Sequence, residues 1–198
     1  MKIIGLCRNY PGNFTPHSHP VFFMKPDTTI ILNNKPFFLP HFSTQMNFEV
    51  ELVYKICRVG KNISEKFAYR YFDEIGLGID FTEFAILKEC QKNGQPWEAA
   101  KTFDGSSPIS KLIPKDQFKN IKSINFSLLQ NGNLVQSGNS SEMIFPIEKI
   151  ISYVSQFFTL KMGDLIFTGT PTGSGPVQIN DRLQAFLEDE IMLDFYVK

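Results

Sequence analysis

The chain has 198 residues, 42% of them hydrophobic and 20% charged, with Lys plus Arg equal to Asp plus Glu and no formal net charge. That balance excludes a disordered acidic tail and a polybasic nucleic-acid surface, and the length suits one compact domain over residues 1–198. Twenty phenylalanines supply much of the material for its core. Cys7, Cys57 and Cys90 are odd in number and lack metal-ligand spacing, which suits reduced thiols in an intracellular protein. The apolar run after Met1 is too short for a signal peptide, and no stretch reaches the length of a membrane span. The expectation is a soluble cytoplasmic protein with no membrane or nucleic-acid partner.

Lys2–Cys7 reads as a short buried strand leading into Arg8-Asn9-Tyr10. The loop over 11–20 holds three prolines and a glycine, which bar helix and central strand. It carries His17 and His19, either exposed loop histidines or a pair able to shuttle protons or bind metal. Val21–Pro26 is an apolar strand, and 28–32 with 35–39 reads as a hairpin turning at Asn33-Asn34.

The stretch 47–54 alternates, with Phe48, Val50, Leu52 and Tyr54 on one face and Glu49 and Glu51 on the other. Two carboxylates about 7 Å apart along a strand repel unless solvated, paired or bridged by a cation. They mark either a solvent-facing strand or a cation site. The spacing of Phe67, Tyr71 and Phe72 predicts a helix over 64–74 with Ser64 as N-cap. Over 75–80, Ile75, Leu77 and Ile79 alternate with Gly76, Gly78 and Asp80, so one face is nearly bare and a ligand or another backbone approaches there. A helix capped by Thr82 follows and stops at Gly94.

Lys101 stands alone in neutral surroundings, as a surface lysine or an active-site cation. Asn131-Gly132 turns a hairpin over 122–136, and Pro146 opens a helix with Ile147, Ile150, Ile151, Val154 and Phe158 at helical spacing. The loop over 168–175 has three glycines and three threonines, so its backbone can approach an anion, but it lacks the lysine of a nucleotide-binding loop. Two strands, 182–187 and 191–197, close the chain. The sum is α+β, mainly β: many short strands and about three helices.

Arg8-Asn9-Tyr10, Phe23-Met24-Lys25-Pro26, Glu49-Val50-Glu51-Leu52, Asp80, Pro96-Trp97, Ala100-Lys101-Thr102-Phe103, Gly163-Asp164-Leu165-Ile166 and Thr168-Gly169-Thr170-Pro171 occur in this order along the chain. In order and spacing the sequence resembles the fumarylacetoacetate hydrolase family, most closely its single-domain acylpyruvate hydrolases and oxaloacetate decarboxylases. The resemblance implies a mixed β-sandwich roll with a few short helices, usually a homodimer, around a Mg2+ site that Mn2+ or Ca2+ could also fill. It puts the metal ligands on Glu49, Glu51 and Asp80 and the active-site lysine on Lys101. Arg8, Lys25, Gly169 and Thr170 then fall to substrate binding.

Where the family commonly has a lid histidine and glutamate, this chain has Asn13 and Pro16, with His17 and His19 just beyond as the candidate replacement base. Where the family often reads Asp-x-Thr/Ser-Ala-Arg-x-x-Gln, the chain reads Asp80-Phe81-Thr82-Glu83-Phe84-Ala85-Ile86-Leu87. The implied function is metal-dependent chemistry on a small-molecule 2-oxo acid: C–C hydrolysis of an acylpyruvate, or decarboxylation through an enolate. The alternatives are a keto–enol isomerase of a dienedioate-type substrate and a non-catalytic binder of metal and 2-oxo acid.

Overall fold

The computed structural model describes residues 1–198. The alternating stretch that contains Glu51 forms the strand Val50–Ile56, inside a six-stranded sheet. Across that sheet the order is Val21–Pro26, Lys2–Cys7, Leu165–Phe167, Val50–Ile56, Phe72–Ile79 and Ile113–Pro114. Only Lys2–Cys7 and Leu165–Phe167 run parallel; the other neighbours are antiparallel. Val50, Leu52 and Tyr54 point into a core shared with a four-stranded antiparallel sheet, in the order Asn133–Asn139, Asn125–Gln130, Arg182–Leu187, Glu190–Tyr196. The helix Ile147–Val154 adds Ile147, Ile150, Ile151 and Val154 to that core, as its periodicity predicts. The core holds 34 buried residues, each large one contributing about 1.5–3 kcal/mol through burial.

The Asn131-Gly132 turn is as expected, both residues having positive φ (54° and 82°) between Asn125–Gln130 and Asn133–Asn139. The hairpin expected at Asn33-Asn34 does not form. Both asparagines turn the chain (φ 61° and 52°), but Ile30–Ile31 pairs in parallel with Ser107–Pro108, while Phe37 bridges to Val197. Phe37 is drawn away because its ring stacks on Phe81 in the core, at 3.8 Å between centroids.

The helix expected over 64–74 is a 3-10 segment, Glu65–Arg70, and the Ser64 side chain accepts no capping hydrogen bond. Phe72 instead begins the strand Phe72–Ile79, fully buried edge-on against Tyr54. Tertiary burial here outweighs a weak helical pattern. Thr82 does not cap the next helix. Thr82–Glu83 pairs with Met46–Asn47, the helix runs Phe84–Asn93, and Gly94 ends it in the left-handed region as expected.

The bare glycine face is filled by the protein itself. A Cβ on Gly76 would lie 2.8 Å from the Lys111 carbonyl, and one on Gly78 2.4 Å from the Phe167 ring. A single helical turn, Glu98–Lys101, completes the helices. No helix is long and apolar enough to cross a membrane.

Candidate metal centre

Glu49 sits where one strand becomes two. Met46–Phe48 belongs to a small sheet with Gly175–Pro176 and Thr82–Glu83, whereas Val50–Ile56 belongs to the large one. At that junction the Asp80 N–H donates to the Glu49 carbonyl at 2.8 Å, which brings the end of Phe72–Ile79 against the acidic stretch. Glu49, Glu51 and Asp80 thereby each offer a carboxylate oxygen, all within 4.8 Å of one another. Glu51 and Asp80 are only 1% exposed, so the reading of a solvated strand face does not hold for Glu51. The Glu49 side chain retains 22% exposure and forms the open side of the cluster.

Two ammonium groups compensate this buried charge. Lys101 Nζ donates to Glu49 Oε2 and to Asp80 Oδ2, both at 2.6 Å. Lys25 Nζ donates to Asp80 Oδ1 at 2.5 Å and to the Ser106 carbonyl at 3.0 Å. Burial pushes the Asp80 carboxyl up, but Lys101 and Lys25 outweigh it and hold it below the usual carboxylate range. Glu51 has no such partner. Burial, then Asp80 and Glu49, drive it well above the usual range, opposed by Lys101 and the Gly169 N–H. Burial also raises Glu49, with Lys101 opposing and Asp80 adding to the rise. Burial pulls Lys101 down, yet Asp80 and Glu49 more than reverse this and keep it an ammonium.

The donor set fits a hard divalent cation. It consists of carboxylate oxygens with no imidazole or thiolate, the ligand type Mg2+, Mn2+ and Ca2+ prefer. With all five side chains ionised the cluster carries a single net negative charge, which a divalent cation would reverse. Cys7 lies close enough to feel these charges, but burial pushes its thiol up to about 12 despite the opposing Lys101. In the metal-free protein it is therefore a neutral thiol at neutral pH, unsuited to act as a nucleophile.

Each carboxylate is aimed by a neighbour. The Gly169 N–H donates to Glu51 Oε2 at 2.7 Å. That approach needs glycine: φ is +88°, and a Cβ would lie 3.0 Å from Asn9 Cβ. The Thr82 hydroxyl, not needed as a cap, donates to Glu49 Oε2 at 3.3 Å.

The structure thus gathers Glu49, Glu51, Asp80, Lys101, Lys25 and Gly169 into one cluster. Lys25 is buried behind Asp80, orienting it rather than facing a cleft. The Thr170 hydroxyl is committed to the scaffold, donating to the Val50 carbonyl and accepting from Gln136 Nε2, both at 2.8 Å. Arg8 is exposed, its guanidinium over the Phe14 ring. His19 stacks on Tyr153 of the helix Ile147–Val154, 5.5 Å between centroids, and His17 makes no side-chain hydrogen bond. Neither imidazole bonds to the acidic cluster.

Three scaffold residues escaped the sequence reading. Gln136 accepts from the Val50 N–H (2.9 Å) and donates to Thr170 and to the Pro171 carbonyl, clamping the threonine–glycine loop to the acidic strand. Asn9 donates to the Thr168 and Phe145 carbonyls and accepts from the Phe145 N–H, fixing the other side of that loop. Glu83 accepts from Ser43 and Thr44 hydroxyls and the Gln45 N–H. Two of them left a trace in sequence, Asn9 within Arg8-Asn9-Tyr10 and Glu83 as an acid where the family pattern has alanine, but neither trace revealed the bonds each makes.

Three clustered carboxylates beside a buried lysine, on a β-rich roll, form a group that could hold a divalent cation. The fumarylacetoacetate (FAA) hydrolase C-terminal family matches residues 4–193, and the chain belongs to that family. It is 38% identical over 202 aligned residues to the mitochondrial oxaloacetate tautomerase FAHD1 of Mus musculus, covering 100% of this chain and 91% of that protein. It is 36% identical to the mitochondrial oxaloacetate decarboxylase of Dictyostelium discoideum, over 89% of this chain and 84% of the other. Its fold is that of the fumarylpyruvate hydrolase from Pseudomonas aeruginosa, crystallised in complex with Mn2+ and pyruvate. That match has a TM-score of 0.94 and 29% identity, over 100% of this chain and 89% of the other.

Proposed function

We propose that this chain is a divalent-metal-dependent enzyme acting on a 2-oxo acid by enolate chemistry, with hydrolysis of acylpyruvates as a weak activity. The observation that carries the reading is Lys101, 5% exposed and shared between Glu49 and Asp80 at 2.6 Å. Mg2+ is the cation we favour at Glu49, Glu51 and Asp80, where it would polarise the substrate carbonyl as a Lewis acid. The relatives' names, oxaloacetate tautomerase, oxaloacetate decarboxylase and fumarylpyruvate hydrolase, support a 2-oxo acid substrate.

Lys101, held charged by Asp80 and Glu49, donates hydrogen bonds to developing enolate charge and is unsuited to act as a base or an imine-forming amine. Lys25 and Gly169 hold Asp80 and Glu51 in place. The Thr170 hydroxyl is used internally, so any contact of its loop with the substrate carboxylate would come from backbone N–H groups. Tautomerisation and decarboxylation need an electron sink and a proton donor, whereas hydrolysis needs a base to activate water. With Asn13 and Pro16 at the lid positions and His19 stacked on Tyr153, no imidazole or carboxylate of the 11–20 loop bonds to the cluster, which favours the first two reactions.

The test is product analysis with oxaloacetate and acetylpyruvate on Mg2+-loaded and chelator-treated protein. Metal-dependent conversion of oxaloacetate with slow acetylpyruvate cleavage is the expected result. Fast acetylpyruvate hydrolysis, or conversion indifferent to chelator, would overturn the reading. A homodimer and a cytoplasmic location accompany the proposal, the former checked by light scattering and the latter by cell fractionation.

A further inference from the structure

Asn47 belongs to Met46–Phe48, the strand that delivers Glu49. It is only 8% exposed, and its Oδ1 is buried without a hydrogen-bond partner. Two observations fix the direction of this side chain. Met46, Phe48 and Val50 enter the core, so Asn47 falls on the opposite face with Glu49 and Glu51. Asn47 also stands directly across from Thr82, and opposed residues of an antiparallel pair project to the same side. On that side the Thr82 hydroxyl reaches Glu49 Oε2 at 3.3 Å. On its other flank Asn47 pairs with Pro176, just past the threonine–glycine loop. The amide thus shares the face of the carboxylates, between Thr82 and the end of that loop.

An unpaired buried amide costs stability, so each one in a folded protein calls for a specific explanation. With no bond to Oδ1, a half-turn about Cβ–Cγ puts the NH2 group in its place and costs no hydrogen bond there. The amide can therefore donate to an anion arriving on that face. Its position suits the far end of a substrate rather than the cation. Two residues along a strand separate Asn47 from Glu49 by about 7 Å, well beyond the roughly 2.0–2.6 Å of a cation–oxygen bond. The charge balance suits an anion as well, because a divalent cation would make the three carboxylates and two lysines net positive. We propose that Asn47 binds substrate, its amide donating to the second carboxylate of a short dicarboxylic 2-oxo acid held at Glu49, Glu51 and Asp80. The proposal rests on the 2-oxo acid function given above. It makes Asn47 the residue that separates a diacid such as oxaloacetate from pyruvate.

The test compares Asn47→Leu and Asn47→Asp with the native protein. Thermal unfolding is followed without metal, Mg2+ and then pyruvate binding by calorimetry, and oxaloacetate conversion by kinetics. Asn47→Leu should keep or raise the melting temperature, because it removes an unpaired buried amide. Its Mg2+ and pyruvate isotherms should match the native ones, while KM for oxaloacetate rises about tenfold or more and kcat changes little. Asn47→Asp, of similar shape but unable to donate when ionised, should raise KM at least as far. A lowered melting temperature in Asn47→Leu, with Mg2+, pyruvate and oxaloacetate all weakened together, would make Asn47 a structural residue and overturn the proposal. Native KM in either variant would also overturn it, leaving the 2-oxo acid function standing. A native protein that neither binds pyruvate nor converts oxaloacetate defeats that function, and the role of Asn47 with it.

Discussion

Lys101 and Lys25 both touch Asp80, yet they do different work. Lys101 reaches Glu49 as well and borders a cleft, whereas Lys25 is enclosed and ends on the Ser106 carbonyl. Lys101→Met removes the ammonium that competes with a bound cation and that stabilises the enolate. Cation affinity should therefore rise or hold in calorimetry while turnover falls about a hundredfold. Loss of both together would mean that Lys101 only supports the fold. Lys25→Met leaves one Asp80 oxygen buried without its partner. It should cost about 3–5 kcal/mol in denaturant unfolding of the metal-free protein. A change under 1 kcal/mol would show that Lys101 alone compensates Asp80.

Two short pieces of chain position the ligands at the level of elements. Met46–Phe48 delivers Glu49 and Thr82–Glu83 leaves Asp80, and the two pair through Met46 with Glu83 and Asn47 with Thr82. The buried Glu83 carboxylate braces this join by accepting from Ser43 (2.5 Å), Thr44 (3.2 Å) and the Gln45 N–H (3.0 Å). Glu83→Ala should lower stability by about 2 kcal/mol, the scale of lost hydrogen bonds to a charged group. It should also weaken Mg2+ binding several-fold, because Glu49 follows directly on the loosened strand. Glu83→Gln, which can still accept from the Gln45 N–H, should recover most of the affinity. Unchanged isotherms for both variants would remove Glu83 from the support of the site.

For the whole molecule, the carboxylates make stability and metal binding depend on pH in opposite senses. Glu51 holds its proton above its ordinary value of 4.5 in the folded, metal-free state, chiefly through burial. From about 4.5 upward to that raised value the folded state binds more protons than the unfolded chain, so metal-free stability falls as pH rises. A cation must displace that proton, so Mg2+ affinity should rise across the same window, with proton release visible in buffers of different ionisation heat. Asp80 acts the other way: its depressed value contributes stability above its ordinary 3.8, lost as pH falls through the folded value. Saturating Mg2+ at about a hundred times its dissociation constant should add about 2.7 kcal/mol, and chelator should remove it. A melting temperature indifferent to Mg2+ and chelator would argue against a site at Glu49, Glu51 and Asp80.

Periodicity carried much of this protein's description. The alternation that set Val50, Leu52 and Tyr54 opposite the glutamates, the Asn131-Gly132 turn, Gly94 and the stripe from Ile147 to Val154 are local patterns, and local backbone preferences agree with the fold there. The local pattern showed the paired Glu49 and Glu51 but left their role and that of Lys101 open; it was the resemblance to the family that singled out Glu49, Glu51, Asp80 and Lys101 as a set. Tertiary structure decided where long-range pairing competed with short-range pattern. Phe37 left its hairpin for Phe81 and Val197, and Phe72 left its helical stripe for Tyr54, because burying an aromatic ring outweighs a marginal local preference. The same competition set the roles of Lys25, Gln136 and Glu83, whose partners lie 55, 34 and 40 residues away at Asp80, Thr170 and Ser43. A hydrogen bond between distant residues leaves no period in the sequence, so only the folded chain shows which polar side chains aim the carboxylates.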